Sequence, residues 1–335
     1  MNFLKSLFSL KINFMDSLAQ YKSDFLDFLK SYDINETPEQ LYKPIDYILN
    51  LGGKRMRPIL VMMSAEIFSG QHKQAMYAAL AVEMFHNFSL VHDDIMDDAP
   101  LRRGQKTVHE KWDLNTGILS GDAMLILAYQ LFEHYPDEQF KPLAKLFSKT
   151  AIEVCEGQQY DIDFEQRDDV SIEEYLKMIE FKTAVLVGAA LQMGAIVANQ
   201  NKHTQDLIYD FGKNLGIAFQ IQDDYLDAFG DPEKFGKQVG GDIIENKKTY
   251  LYLKALENDS SGQLEHLFSI SPKNPNSKIE TVKSLYNSTG ATEFVKKEIK
   301  NYTQKAYKSL DDIGIPQQQK EILIEFGDFL MNRSV

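Results

Sequence analysis

Cysteine is almost missing from this chain: Cys155 stands alone among 335 residues. No internal disulfide is possible, and the sequence suits a reducing compartment, so a cytoplasmic setting is expected. Cys155 itself reads as a small buried apolar residue, the usual fate of a lone thiol. Long apolar runs are missing too. No stretch of about 18 apolar residues occurs, so no membrane span is indicated. Residues 1–18 alternate apolar side chains with Lys5, Lys11 and Asp16. They lack a continuous apolar core and a small-residue cleavage site, which argues against a signal peptide and for an amphipathic extension. Met15 is an alternative start. Positive charge is short as well: 36 Lys and Arg against 49 Asp and Glu leave a net charge of −13. With no basic stripe, nucleic acid is a poor partner. An anionic substrate would have to be met by local cations or by metal.

Alternating β-branched runs are nearly absent, and no solenoid repeat or low-complexity linker appears. What is present is helical periodicity, with apolar residues three and four apart. It recurs over Met56–Phe68, Ala75–Asp97, Ala123–Phe132, Pro142–Gln159, Ile172–Val197, Asp206–Leu226, Lys278–Asn287 and Thr292–Leu310. Glycine and proline fall mostly between these segments, as at Ala99-Pro100 and Gly240-Gly241. The expected fold is all-α, with residues 19–335 forming one helical domain. Val185–Val197 is apolar nearly all round and reads as a central buried helix.

Two acidic clusters interrupt this apolar pattern: His92-Asp93-Asp94-Ile95-Met96-Asp97-Asp98 and Gln222-Asp223-Asp224-Tyr225-Leu226-Asp227. Each reads Asp-Asp-x-x-Asp. On a helix Asp93 and Asp97 share a face, as do Asp94 and Asp98. Like charges at that spacing repel, and both clusters fall near helix C-termini, where the macrodipole disfavours negative charge. The pattern is costly unless cations neutralise it. Hard carboxylate oxygens suit Mg²⁺, which keeps waters and shares substrate phosphates. Two such walls facing each other across a central cavity would hold Mg²⁺ around a diphosphate.

Basic residues accompany both clusters. Gly52-Gly53-Lys54-Arg55-Met56-Arg57-Pro58 places three cations behind a glycine turn, read either as a solvated loop entering a helix or as an anion site. Arg102 and Arg103 follow the first cluster and offer bidentate bonds to phosphate, or a salt bridge to the aspartates. Gly236-Lys237 and Lys247-Lys248 follow the second. Phe181-Lys182-Thr183-Ala184 sets a lysine and a hydroxyl in an apolar run, where the lysine either snorkels to the helix edge or has a binding role. Gln220 lies on the face of Asp223. His86 could be a core histidine satisfied by Glu83 one turn earlier.

These segments, with LRRGQKTVH (101–109), GDAML (121–125), EGQ (156–158) and GKQVGGDIIENKKT (236–249), resemble the trans-isoprenyl diphosphate synthases of the polyprenyl synthetase family, from Tyr42 to about Lys254. The resemblance implies an isoprenoid synthase-type bundle and Mg²⁺-dependent 1′–4 condensation of isopentenyl diphosphate with a dimethylallyl, geranyl or farnesyl diphosphate. It implies Asp93, Asp97 and Asp223 as ligands of three Mg²⁺, with Mn²⁺ a possible substitute and Asp94, Asp224 and Asp227 in support. It assigns Lys54, Arg57, His86 and Arg103 to isopentenyl diphosphate. Arg102, Lys182, Thr183, Gln220, Lys237 and Lys247 go to the allylic diphosphate. A homodimer is implied. The family's late lysine motif runs into Leu-Pro, whereas here Thr249 is followed by Tyr250-Leu251.

Product length is expected to depend on the helix carrying Asp93. Phe88 lies five residues back, about 7.5 Å below at helical rise. Ser89 beside it is small, and the first motif has no two-residue insertion. In the family this combination resembles geranylgeranyl (C20) synthases more than farnesyl (C15) synthases, with Phe85 and Met84 as a deeper floor. Terpene cyclases, which share the fold, normally replace the second aspartate motif, and regulatory subunits lose acidic motifs; both motifs stand here. A Ca²⁺-binding helical scaffold would not explain the basic segments.

Overall fold

The computed structural model describes residues 2–34, 36–231 and 239–332, with side chains from Met15 onward. Its first helices are α1 (Asn2–Ser31), α2 (Glu39–Asn50), α3 (Met56–Ser69), α4 (Met76–Met96), α5 (Val108–Lys111), α6 (Leu114–Gln130), α7 (Asp137–Glu165), α8 (Ile172–Ile179), α9 (Val185–Val197) and α10 (Lys202–Phe229). Shorter helices follow over Gly241–Ile244, Tyr250–Leu256 and Gln263–Phe268, then longer ones over Asn276–Ser288, Ala291–Ser309 and Gln317–Met331. Among the described residues the only strands are Leu101–Arg102 and Gln105–Lys106, paired antiparallel around the Arg103-Gly104 turn. The fold is an all-α bundle.

Local chemistry sets several boundaries. Asp113 caps α6 by accepting from the Thr116 amide at 2.9 Å, so the helix begins nine residues before the expected Ala123. Ser171 and Glu174 form a reciprocal capping box at α8. Gly70 closes α3 in the left-handed conformation, φ 69°. The short helix α2 and the last helix, Gln317–Met331, were not foreseen. From Asn2 the extension runs continuously within α1, and most of its side chains lie outside the described residues.

By their contacts the residues group into two compact units, Met1–Ala151 with Ala189–Asp206, and Ile152–Gly188 with Leu207–Val335. In the first, Phe85 packs edge-on against Phe147, which also meets Phe132 and Tyr129. Gly194 of α9 sits against the Val61 carbonyl of α3, where any Cβ would collide, and Ser64 donates to the Leu191 carbonyl at 2.6 Å. In the second, Tyr175, Ile179, Ile221, Leu251, Val282, Tyr286 and Val295 form a buried core. Each such aliphatic or aromatic side chain contributes roughly 1.5–3 kcal/mol on burial.

The run Ile172–Val197 is long and apolar enough to cross a membrane by length and composition, yet 72% of its most apolar window is buried within the protein. It is also not one regular helix. Residues Glu180–Ala184 form a π-helical turn between α8 and α9. Cys155 corrects the expectation for it: the residue is exposed. The buried positions nearby on α7 are Thr150, Val154 and Gly157, and Cys155 projects one residue, about 100°, off that stripe.

Candidate active site

Helix α4 ends at the first acidic cluster. Met96 is its last residue, Asp97 caps it, and Asp98 leaves in the left-handed region at φ 48°. Asp93 and Asp97 therefore belong to the helical turn, but the expected Asp94–Asp98 face does not exist, because the chain reverses at Asp98. Asp94 is buried. Both its oxygens accept from Arg102: Nε lies 2.9 and 2.8 Å from Oδ1 and Oδ2, and Nη2 lies 2.7 Å from Oδ1. The salt bridge anticipated as the alternative for Arg102 is thus present. It ties the hairpin to the helix end, because Arg102 lies on the first strand.

In the same unit the glycine turn, the hairpin and α4 bring a second group together. Arg103 donates to the Gly52 carbonyl. Its guanidinium lies so close to Gly53 that a Cβ there would sit 2.9 Å from it, and Gly53 has φ 124°, open only to glycine. Arg57 Nη1 lies 3.1 Å from His86 Nε2. Burial first, then the charges of Arg57, Arg103, Arg102 and Arg55, pushes the His86 imidazole well below its ordinary range. The ring is neutral, and since guanidinium can only donate, Nε2 accepts. The alternative reading of His86, a core histidine satisfied by Glu83, gives way to this contact with Arg57. Glu83 is instead ion-paired with Arg55, both almost fully buried, and Arg55 also donates to the Leu49 carbonyl. Lys54 is exposed on the turn.

The second unit holds the other acidic cluster, near the C-terminus of α10. Asp224 accepts from the buried Tyr175 hydroxyl, and from the Gln220 amide at 3.0 Å. Thr183 Oγ1 lies 3.4 Å from Gln220 Oε1. Asp227 Oδ2 accepts from the Asp242 amide at 3.0 Å. Burial, with the charges of Asp223 and Asp227, raises the Asp224 carboxyl far above the usual carboxylate range. Burial and the charges of Asp224 and Asp227 do the same to Asp242.

The π turn sets Lys182 and Thr183. Gly157 of α7 faces the Lys182 backbone so closely that a Cβ would overlap it, and Gly216 of α10 meets Ala184 from another side. A π bulge shifts side-chain register within a helix and is common at functional sites. Lys182 does not merely snorkel: its Nζ lies 2.6 Å from Asp161 of α7. Lys247 bonds Glu165, one turn further along α7, at 2.9 Å. Burial lowers Lys247, but the charges of Asp161, Glu165 and Glu245 outweigh it and hold the ammonium above its ordinary value. Lys248 donates to the Phe164 and Arg167 carbonyls. Lys237 lies outside the described residues. Gln222 donates to the Met331 carbonyl at 2.8 Å, fixing the end of the last helix, while residues 333–335 of the suggested closing tail also lie outside.

Asp161, Glu165, Tyr175 and Asp242 were missed from the sequence, as was the pairing of Glu83 with Arg55. Asp161 had a signal, an acid one turn after the glycine that admits the π turn. Tyr175 had none.

A polyprenyl synthetase family model matches residues 38–289. The short chain isoprenyl diphosphate synthase of Methanothermobacter thermautotrophicus is 36% identical over 298 residues, 89% of this chain and 91% of that protein. The chain belongs to the polyprenyl synthetase family. It is a prenyltransferase that forms a short-chain trans-prenyl diphosphate by condensation. The geranylfarnesyl diphosphate synthase of Natronomonas pharaonis is also 36% identical, over 318 residues, covering 89% of this chain and 92% of its own. A crystal structure of a geranylgeranyl pyrophosphate synthase is 56% identical to this chain, with a TM-score of 0.91 and coverage of 95% and 99%.

Proposed function

We propose that this prenyltransferase extends an allylic diphosphate with isopentenyl diphosphate to geranylgeranyl diphosphate (C20), acting as a cytoplasmic homodimer with Mg²⁺. The observation that carries the product length is the aromatic floor on α4. Phe88 is 8% exposed, Phe85 packs 5.5 Å behind it, and Phe147 backs Phe85 at 5.2 Å. Met84 is fully buried beside them, and Ser89 adds no bulk, its hydroxyl turned onto the His86 carbonyl.

The residues fit Mg²⁺. Among the described residues no three His, Cys, Asp or Glu side chains form a self-contained metal cage. Both oxygens of Asp94 are held by Arg102, and burial with the charges of Asp223 and Asp227 raises the Asp224 carboxyl. Asp93 and Asp97, supported by Asp94, in the first unit and Asp223, supported by Asp224 and Asp227, in the second are each a partial hard-oxygen donor set. That suits an ion that keeps waters and takes phosphate oxygens. When bound, Mg²⁺ supplies charge neutralisation of the leaving diphosphate.

This chain's own residues do the rest. Lys54, Arg57, His86 and Arg103 bind isopentenyl diphosphate; the neutral His86, accepting from Arg57, fixes the orientation of that guanidinium. Lys182, Lys247 and Arg102 take the allylic diphosphate and stabilise its charge as the C–O bond breaks, as preorganised cations do. The Thr183 hydroxyl and the Gln220 amide oxygen, side by side, steady the allylic cation. The isopentenyl alkene attacks that cation. The proton is lost to the released diphosphate, so no side-chain base is required. Water has to be excluded at this stage, because it would quench the cation.

Helix α6 leaves Leu114, Ile118, Leu119 and Ile126 between 40% and 59% exposed, an apolar stripe suited to a second copy of this chain. Sedimentation that finds a monomer at working concentration would remove the dimer. The test of product length is to incubate the protein with Mg²⁺, isopentenyl diphosphate and each allylic primer and weigh the products. C20 is expected, with longer products from Phe88→Ala and none after chelation. C15 would move the floor upward, C25 would move it deeper, and an unchanged profile in Phe88→Ala would remove the floor assignment.

A further inference from the structure

Lys278 is placed where a lysine is costly in three ways. It is 3% exposed, and burial of an ammonium is unfavourable without a charged partner. It lies in the first turn of the helix Asn276–Ser288, where the macrodipole repels a cation. Its partners are neutral: Nζ donates to Asn246 Oδ1 and to the Ile270 carbonyl at 3.0 Å, and lies 5.4 Å from the Phe268 ring centre.

Asn246 is the residue at which the chain reverses. It has φ 59° and follows the short helix Gly241–Ile244. The Asn246 amide donates to the Ile243 carbonyl and the Lys247 amide to the Asp242 carbonyl at 2.8 Å, the paired bonds that end a helix through a left-handed residue. From that turn Lys247 and Lys248 depart, toward Glu165 and the Phe164 carbonyl. The neighbour of Lys278, Ile279, packs against Gly240 at the other end of the same segment. One helix start thus grips both ends of the Gly240–Asn246 reversal.

We propose that Lys278 is a positioning residue: its ammonium locks the Asn246 turn and so aims Lys247 at the allylic diphosphate. The inference rests on the reading of Lys247 given above. Steady-state KM for farnesyl diphosphate and for isopentenyl diphosphate, with thermal midpoints, should be compared in Lys278→Met, Asn246→Gly, the double variant and Lys247→Ala. Asn246→Gly keeps the left-handed turn and removes only the acceptor. Each of the first two is expected to raise the allylic KM about tenfold, the scale of one hydrogen bond to a charged group, with the isopentenyl KM unchanged. The double variant should be no worse than either single change. A lower thermal midpoint with both KM values unchanged, a parallel rise in both, or full additivity in the double variant would overturn the inference. If Lys278→Met does not fold, Asn246→Gly decides alone. If Lys247→Ala leaves the allylic KM unchanged, the site reading falls and takes this inference with it. If Lys247→Ala raises that KM and neither Lys278→Met nor Asn246→Gly does, only the positioning role falls.

Discussion

At the end of α4 the buried carboxylate, Asp94, is met by a full positive charge on Arg102, whereas at the end of α10 its counterpart, Asp224, is met by a phenol and an amide. The sequences of the two ends are nearly the same, Asp-Asp-x-x-Asp in each. The first end neutralises its inner aspartate from within, and the helix stops there, with Asp97 exposed and Asp98 turned away. The second end keeps its aspartates on a helix that continues to Phe229 and adds Asp242 beside them, so burial and mutual repulsion raise the Asp224 and Asp242 carboxyls. A repeated motif therefore does not imply a repeated environment. What differs is the partner of the inner aspartate, an arginine from the hairpin that follows in one case and a tyrosine of α8 with a glutamine of α10 itself in the other.

Substitutions separate the two helix ends. The largest effects should come from the carboxylates common to both ends. Asp93→Ala and Asp223→Ala are each expected to lower turnover by roughly 10²–10³-fold, the range seen on removing one preorganised electrostatic group, with little change in thermal midpoint. Equal losses would mean that the two ends contribute alike to the chemistry despite their different partners. Next is Arg102→Leu, which strands the Asp94 charge. About 3 kcal/mol of stability should be lost in denaturant titration, the low end for a broken buried pair, because Arg102 is itself 25% exposed. Gly157→Ala tests the π turn of the second unit. Overpacking against the Lys182 backbone should cost about 2 kcal/mol and raise the allylic KM more than the isopentenyl KM.

The helical fold was legible because apolar spacing is a strong signal in long helices, and α3, α4, α9 and α10 all lie within a few residues of where the periodicity placed them. The π turn was not legible, since Glu180–Ala184 has the same apolar rhythm as its flanks and the extra residue appears only where Gly157 and Gly216 let other helices approach. Single-residue environments were the weakest ground. Cys155 was misjudged because residue type was weighed over helix phase. Glu83 stood as an alternative partner for His86 because sequence proximity on α4 concealed Arg55 and Arg57, which arrive from the start of α3. The burial of Lys278 carries no trace in the local sequence, as its partners come from Asn246 and Ile270.

The most direct test of the contrast is thermal unfolding of Asp94→Asn and Asp224→Asn, side by side and as a function of pH. Asp94→Asn should lower the midpoint, because the charge that Arg102 pairs is removed. A carboxyl raised in the folded state stabilises below the ordinary carboxylate range, and that contribution is lost as pH rises through its raised value. Asp224→Asn should therefore raise the midpoint at neutral and alkaline pH, with the gain shrinking as the pH falls and the native Asp224 takes up its proton. Midpoints that fall in both variants, or a gain in Asp224→Asn that does not depend on pH, would contradict the account.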